Sequence, residues 1–182
     1  MKKISIIACM LTLIIATSCA DYNRVVKTQD YEYKYEVAKQ YYAEGMYNRA
    51  ALLIQDVLSV LKGTDQGEES LYLSGLCNMK AHSYDAASTI FRKYYQTYPR
   101  GKYVEEARYN CGLSLYYITP EPKLDQSETY QAVTEFQNFI ENFPSSRLRP
   151  QAQEMIFKLQ DKLVEKEYLS ARLYYDLGTY IG

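Results

Sequence analysis

The sequence predicts an all-α protein, in which pairs of antiparallel helices stack into a superhelix. Three observations support this prediction: a spaced phrase of five residues that occurs twice, a small residue that recurs every 37 positions, and apolar residues spaced by three and four. Self-similarity at such a period is typical of helical repeat arrays, in which neighbouring helix pairs bury each other's apolar faces. Arrays of this kind bind partners on an extended surface rather than in a catalytic pocket.

The doubled phrase, a motif of five residues with fixed spacing, occurs in both the first and the last repeat. It comprises Ala38, Tyr41, Tyr42, Gly45 and Tyr47, and it recurs 133 residues later as Ala171, Tyr174, Tyr175, Gly178 and Tyr180. A second helix is predicted after the first copy, over residues 47–61, but only two residues follow the second copy. Because a helical hairpin without its return helix cannot bury its inner face, we expect the natural protein to continue past Gly182 or this end to fray.

Small residues mark where the two helices of each pair should cross. Ala38, Gly75 and Gly112 follow one another at steps of 37 residues, and a small side chain allows close approach of the second helix. The later second helices end before Pro99 and Pro144, since proline lacks the amide donor and disfavours a helical residue before it. A small residue, tyrosine, alanine, an aromatic residue and proline, in that order, resemble the tetratricopeptide repeat, although its usual tryptophan is absent.

This comparison divides the chain into segments and leaves almost no sequence for β-strands. The predicted tetratricopeptide-like repeat domain covers residues 30–182. Its parts are repeats at about 30–62, 67–99 and 103–144, a loop inserted at 119–129 in the third repeat, a linking helix at 146–167 and an incomplete repeat at 168–182.

The N-terminus has the pattern of a cleaved and lipidated leader. Lys2 and Lys3 precede an apolar run at residues 4–15, which is too short to span a bilayer comfortably, and small residues then lead to Cys19. This order resembles a bacterial lipoprotein signal at residues 1–18, with acyl chains attached to Cys19. Residues 19–29 would form the lipidated tether that holds the protein at the membrane. An ordinary secretory signal is the alternative.

Charge and cysteine content limit the possible partners. Without the two lysines of the leader, 19 basic residues face 22 acidic ones, a formal charge of −3, so no nucleic-acid partner is predicted. Cys77 and Cys111 lie on the first helices of adjacent repeats. They could pair in an oxidising envelope, although two buried free thiols are the more usual arrangement.

No catalytic, cofactor or metal site is predicted. The single histidine, His82, lies in a predicted turn without the partners of a catalytic triad. Glu105 and Glu106 are the acidic pair that an enzyme hypothesis would use, but adjacent helical residues point about 100° apart and cannot easily share a substrate. The protein is therefore predicted not to be an enzyme.

The chain is unusually rich in tyrosine, with 21 tyrosine residues. Most of these are expected to pack between helices, but one set recurs in register on the first helices, which line the concave surface of tetratricopeptide arrays. An aromatic groove of this kind can bind an extended peptide. The candidate peptide-binding residues are Tyr35, Tyr42, Tyr72, Met79, Tyr109 and Tyr116.

Nearly the whole mature chain, and residues 130–182 most distinctively, resembles the BamD family, lipoproteins of the machinery that inserts β-barrels into the bacterial outer membrane. The resemblance rests on the stretch 130–146, on the Lys-Leu-Val-Glu-Lys-Glu segment at 162–167 and on Ala171, Arg172 and the paired tyrosines that follow. It implies a lipid-anchored protein on the periplasmic face of the outer membrane. The implied partners are the POTRA domain of BamA, other subunits of the machinery and unfolded barrel proteins. Another periplasmic tetratricopeptide lipoprotein, acting in cell-wall synthesis or a surface complex, is the alternative.

Overall fold

The computed structural model describes residues 22–178, in which helices are joined by turns and no strand occurs. The all-α prediction is therefore confirmed over this range. A short helix at residues 22–27 precedes seven longer helices. These are α1 (Tyr31–Ala43), α2 (Tyr47–Val60), α3 (Asp65–Lys80), α4 (Tyr84–Thr97), α5 (Val104–Ile118), α6 (Ser127–Asn142) and α7 (Arg149–Asp176). The predicted leader, Cys19 and the last four residues lie outside the described range.

Two compact units divide the chain, residues 1–70 and residues 71–182. In the first unit, α1 begins at Asp30, whose carboxylate accepts a hydrogen bond from the Tyr33 amide at 2.9 Å. The buried Lys34 ammonium pairs with Asp56 of α2 at 2.7 Å. The short connection between α1 and α2 makes the two helices antiparallel.

Part of the segment predicted as a tether belongs to the packed structure of the first unit. Residues 22–27 are helical, Val25 is buried, and the Tyr22 ring lies 6.0 Å from the Tyr41 ring. This helical segment was not predicted, because its six described residues are too few to show an apolar period. Any flexible tether within the predicted 19–29 segment is correspondingly shorter.

In the second unit, the crossing glycines fit against aromatic rings. A Cβ atom added to Gly75 would lie 2.5 Å from the Phe91 ring, and one added to Gly112 would lie 3.0 Å from the Phe136 ring. Both rings are fully buried. Close packing of this kind explains why only hydrogen is tolerated at the crossing point of the α3–α4 and α5–α6 pairs.

A left-handed residue ends three of the helices. Gly45 after α1, His82 after α3 and Gly178 after α7 have φ values of 77°, 60° and 69°. The amide of each donates to a carbonyl three residues earlier, as Gly45 does to Tyr42 and Gly178 to Tyr175. This C-terminal turn reverses the chain and is usually made by glycine. Gly45 and Gly178, which correspond in the two copies of the doubled phrase, thus have the same backbone conformation.

Helix α7 is continuous through the predicted boundary between the linking helix at 146–167 and the incomplete repeat at 168–182. Its first half packs on α6 through the buried Ala152, Ile156 and Leu159. Its second half is exposed: Tyr174 is 61% exposed, whereas Tyr41, its counterpart in the first copy of the phrase, is 9% exposed. Among the described residues, no helix is both long and apolar enough to cross a membrane.

We predict that Gly75→Ala lowers the free energy of unfolding by about 1–2 kcal/mol. The 2.5 Å approach to Phe91 calls for the upper part of the usual overpacking cost, about 2–3 kcal/mol, which exceeds the roughly 1 kcal/mol that alanine gains over glycine within a helix. Urea unfolding followed by circular dichroism measures the change. In a Phe91→Leu background the same substitution should cost less, and an equal cost in both backgrounds would contradict the packing explanation.

Candidate functional site

Two of the candidate tyrosines belong to the first unit and differ in accessibility. Tyr35 is 4% exposed, and the Lys39 ammonium lies 4.4 Å from its ring centre. Burial, followed by a hydrogen bond with Glu69, raises the pKa of the Tyr35 phenol to about 12. Tyr42 is half-buried, with its ring 5.5 Å from that of Tyr47. Tyr42 therefore offers surface to a ligand, and Tyr35 offers almost none.

Tyr72, in the second unit, packs within its own repeat and against the next. Its ring stacks on that of Tyr103 at 4.5 Å with an angle of 3° between the planes, and it lies 5.8 Å from both Phe91 and Tyr94. Its hydroxyl accepts a long hydrogen bond, 3.4 Å, from the Asn110 amide. These contacts make Tyr72 mainly a packing residue.

Tyr109 repeats this arrangement one repeat later. Its ring meets Phe136 at 5.9 Å and Phe139 at 5.6 Å, both in edge-to-face geometry. Burial is the main cause that raises the pKa of the Tyr109 phenol, with smaller effects from Tyr117 and Glu154. In both repeats, a tyrosine of the first helix thus contacts two aromatic residues spaced by three on the second helix.

Met79 and Tyr116 do not differ from Tyr72 and Tyr109 in burial class, because all four are half-buried. Met79 and Tyr116 lie in the last turns of α3 and α5, and Tyr116 has fewer ring contacts than Tyr72 or Tyr109. The Tyr116 ring meets the Tyr117 ring edge-on at 5.6 Å. Of the six candidates, the three positions 42, 79 and 116 are therefore the better placed for binding. The pairs Phe91–Tyr94 and Phe136–Phe139 in the sequence could have indicated that Tyr72 and Tyr109 face their own second helices.

A polar network that the sequence did not suggest joins α4, α5 and α6. Arg92 pairs with Glu135 at 3.1 Å, and the Tyr95 hydroxyl donates to the same carboxylate at 3.1 and 3.2 Å. The Arg108 guanidinium lies over the Tyr95 ring at 4.4 Å. Because each charged group has a partner, we assign this network to structural support. Glu135 lies 43 residues from Arg92 and 40 from Tyr95, so no local spacing in the sequence could have revealed the network.

The acidic pair of the enzyme hypothesis borders an open groove of about 660 Å³ at the start of α5. Glu105 accepts a hydrogen bond from the Ser146 hydroxyl at 2.5 Å, which ties α5 to the turn before α7. Glu106 is exposed. This geometry accounts for Glu105 as a structural group. Within residues 22–178, no cluster of three or more metal-ligating side chains occurs.

The comparison with known proteins agrees with this architecture. The sequence model of the outer membrane lipoprotein family YfiO matches residues 29–182. The chain belongs to this family. It is also 24% identical over 184 residues to the outer membrane protein assembly factor BamD of Pasteurella multocida (strain Pm70), a match that covers 96% of this chain and 70% of that protein. The resemblance seen in the sequence is thereby confirmed, and membership of the YfiO family makes the protein an outer-membrane lipoprotein.

Both cysteines of the repeat region are free thiols in buried positions. Burial raises the pKa of each to about 12. The Cys111 thiol also donates a hydrogen bond to the Ser88 carbonyl at 3.4 Å. This arrangement matches the prediction of two buried free thiols that pack between helices, rather than a disulfide.

We predict that Cys77 and Cys111 resist alkylation in the folded protein. A raised pKa keeps both thiols protonated at pH 8, whereas unfolding returns them to ordinary values near 8.5 and supplies reactive thiolate. Iodoacetamide labelling, followed residue by residue with mass spectrometry, should be at least about 100-fold slower in buffer than in urea. Comparable rates in the two conditions would contradict the buried assignment.

Proposed function

We propose that the protein is a scaffold subunit of outer-membrane β-barrel assembly, which binds segments of barrel proteins and the BamA component and performs no catalysis. Membership of the YfiO family and the name of the BamD relative support an assembly role. Helix pairs that present side chains on their surfaces suit a binding protein. The hydrogen bond that holds Glu105 favours binding over acid–base chemistry.

Substrate binding is assigned to those candidate peptide-binding residues that are not packed against several aromatic rings. In the second unit these are Met79 and Tyr116, one at the end of each first helix. Aromatic rings and the polarisable methionine side chain contact extended peptides without demanding a specific sequence. Such tolerance suits a protein that must accept many different unfolded barrel proteins.

Docking to the assembly machinery is assigned to the second half of α7, and this surface is the observation that carries the proposal. Val164, Tyr168, Leu173, Tyr174 and Leu177 are each more than half exposed. At 100° per residue, Val164, Tyr168 and the exposed Tyr175 share one side of the helix, and Leu173 and Leu177 lie on the opposite side. Exposed apolar side chains around a helix are typical of a protein-binding segment. We assign it to BamA, through its POTRA domain, and to other subunits of the machinery.

The inserted loop supports this surface. The Lys162 ammonium donates to the Thr119 hydroxyl at 2.6 Å, and that of Lys166 donates to the Lys123 carbonyl at 3.1 Å. Within the loop, the buried Gln126 amide donates to the carbonyls of Glu121 and Leu124. These contacts hold the middle of α7 in one direction and leave its end available to a partner.

We predict that Met79→Ala and Tyr116→Ala weaken binding of a fluorescent peptide taken from the C-terminus of an outer-membrane barrel protein. Each substitution should raise Kd about fivefold or more, because truncation of a well-placed contact residue costs upwards of about 1 kcal/mol. Fluorescence anisotropy measures Kd, and circular dichroism checks that the helices remain.

Tyr130→Ala provides the matched control for these substitutions. Tyr130 lies on the second helix α6 and is 58% exposed, so its removal should leave Kd unchanged. Equal affinity of all three variants and the unsubstituted protein would contradict the assignment of Met79 and Tyr116.

We further propose that acyl chains on Cys19 anchor the protein to the outer membrane, with the repeats in the periplasm. We predict that Cys19→Ala moves the protein from the membrane fraction to the soluble fraction, since the substitution removes the acyl chains that supply stable anchoring. Cell fractionation followed by immunoblotting measures this. Retention of the variant in the membrane fraction after a high-salt wash would refute the anchor.

A further inference from the structure

The short helix at residues 22–27 lies very close along the chain to the proposed lipid anchor. Only Ala20 and Asp21 separate its first residue, Tyr22, from Cys19. Whatever conformation the chain adopts there, a step of three residues spans at most about 11 Å. The headgroup region of a bilayer is itself about 5–8 Å thick on each side. With acyl chains on Cys19, Tyr22 must therefore lie within or next to the headgroup layer.

One side of this helix is docked on the first unit. Val25 is 4% exposed, and Tyr22, three residues earlier on the same side, is half-buried. The Tyr22 ring lies 6.0 Å from the Tyr41 ring near the end of α1, and the Arg49 guanidinium of α2 lies 5.2 Å from the centre of the Tyr22 ring. The helix is thus packed where α1 ends and α2 begins.

The connection from this helix to α1 has hydrogen bonds of its own. The Thr28 amide donates to the Arg24 carbonyl at 3.2 Å, and the Thr28 hydroxyl accepts a hydrogen bond from the Asp30 amide at 3.2 Å. Asp30 in turn caps α1 by accepting from the Tyr33 amide. Packing and hydrogen bonds therefore hold the chain from Tyr22 to α1 on the first unit, which distinguishes it from a flexible linker.

The opposite side of the helix is polar and basic. At 100° per residue, Asn23, Arg24 and Lys27 lie away from the docked side, and all three are exposed. Two basic residues and no acidic residue occur within residues 22–27. A lysine or arginine close to a membrane surface strengthens binding to anionic lipid by about fivefold. This side of the helix therefore complements an anionic phospholipid surface.

We propose that the helix at residues 22–27 holds the α1–α2 turn, residues 44–46, against the membrane surface. Arg24 and Lys27 contact the anionic phospholipid headgroups of the leaflet that Cys19 anchors. The proposal rests on the acylation of Cys19 proposed above. It goes beyond the anchor itself, because an acyl group on a flexible tether would leave the repeats free to move away from the membrane. Here one end of the first unit stays at the headgroups.

A single tryptophan reports this position, since the chain contains none. Asn48→Trp places it at an exposed position in the first turn of α2, and Val60→Trp places it at the other end of that helix, about 18 Å along the axis. Each acylated protein is reconstituted into vesicles of phosphatidylcholine and phosphatidylglycerol that contain a trace of dansyl-labelled lipid headgroups. Energy transfer to dansyl should be at least about twofold more efficient from Asn48→Trp, the nearer position. Equal transfer from the two positions would overturn the proposal.

Two adjacent valines provide a matched pair of substitutions in the Asn48→Trp protein. Val25→Asn places an amide at the buried position, so the helix should undock and energy transfer should fall at least about twofold. Val26→Asn makes the same change at a position that is 38% exposed and should leave transfer unchanged. Circular dichroism checks the fold, and Tyr22→Ala replaces Val25→Asn if the latter loses helix. Unchanged transfer in the undocked variant would contradict the proposed role of the helix.

Arg24→Gln combined with Lys27→Gln tests the headgroup contact. In the Asn48→Trp protein, transfer should rise at least about 1.2-fold when phosphatidylglycerol is added to phosphatidylcholine vesicles, and the double substitution should remove this rise. Lys62→Gln combined with Lys93→Gln removes the same charge at two other exposed lysines and should preserve it. A rise that persists without Arg24 and Lys27 would rule out the contact.

Mass spectrometry of the same preparations separates this proposal from the anchor on which it rests. An unmodified Cys19 would refute the anchor and this proposal together. An acylated Cys19 combined with equal energy transfer from Asn48→Trp and Val60→Trp would refute this proposal alone.

Discussion

The close crossing of the two helices in each pair is the constraint on which the rest of the structure depends. At Gly75 and Gly112 a phenylalanine ring occupies the space that any side chain would need, and Ala38 is fully buried at the corresponding place in the first unit. This contact fixes the rotation of each first helix about its axis. Once the rotation is set, every other position on that helix is assigned to the partner helix, to a neighbouring repeat or to solvent.

The tyrosines illustrate this assignment. Residues at positions 35, 72 and 109 share one place in the repeat, and all three have rings engaged by other groups of the chain. Two helical turns later, the side chains at positions 42, 79 and 116 are half-buried, and the Tyr42 and Tyr116 rings each meet one neighbouring tyrosine ring. A ring with a polar tip serves both environments, which explains how one residue type can be used so often in a single chain.

Much of this architecture could be predicted from sequence, because it depends on periodic features. The small crossing residues recur every 37 positions, prolines follow two of the second helices, and the doubled phrase returns after 133 residues; the structure places helices and turns accordingly. The accessibility of the tyrosines was harder to predict, because the 37-residue spacing of Tyr72 and Tyr109 does not show which side of each helix is covered by its neighbours. The Arg92–Glu135 pair and the stacking of Tyr84 on Tyr117 depend on contacts between distant segments, so no local sequence pattern predicted them.

The assignment of function combines this surface with membership of an outer-membrane lipoprotein family. A lipid-anchored helical array with aromatic and apolar faces can hold unfolded chains near the membrane without chemistry of its own. Depletion of the protein in its natural host, followed by quantitative proteomics of isolated outer membranes, tests the central claim most directly. The account predicts that β-barrel proteins as a class are lost from the outer membrane. Normal barrel levels accompanied by defective cell division would contradict it and favour a role in cell-wall synthesis.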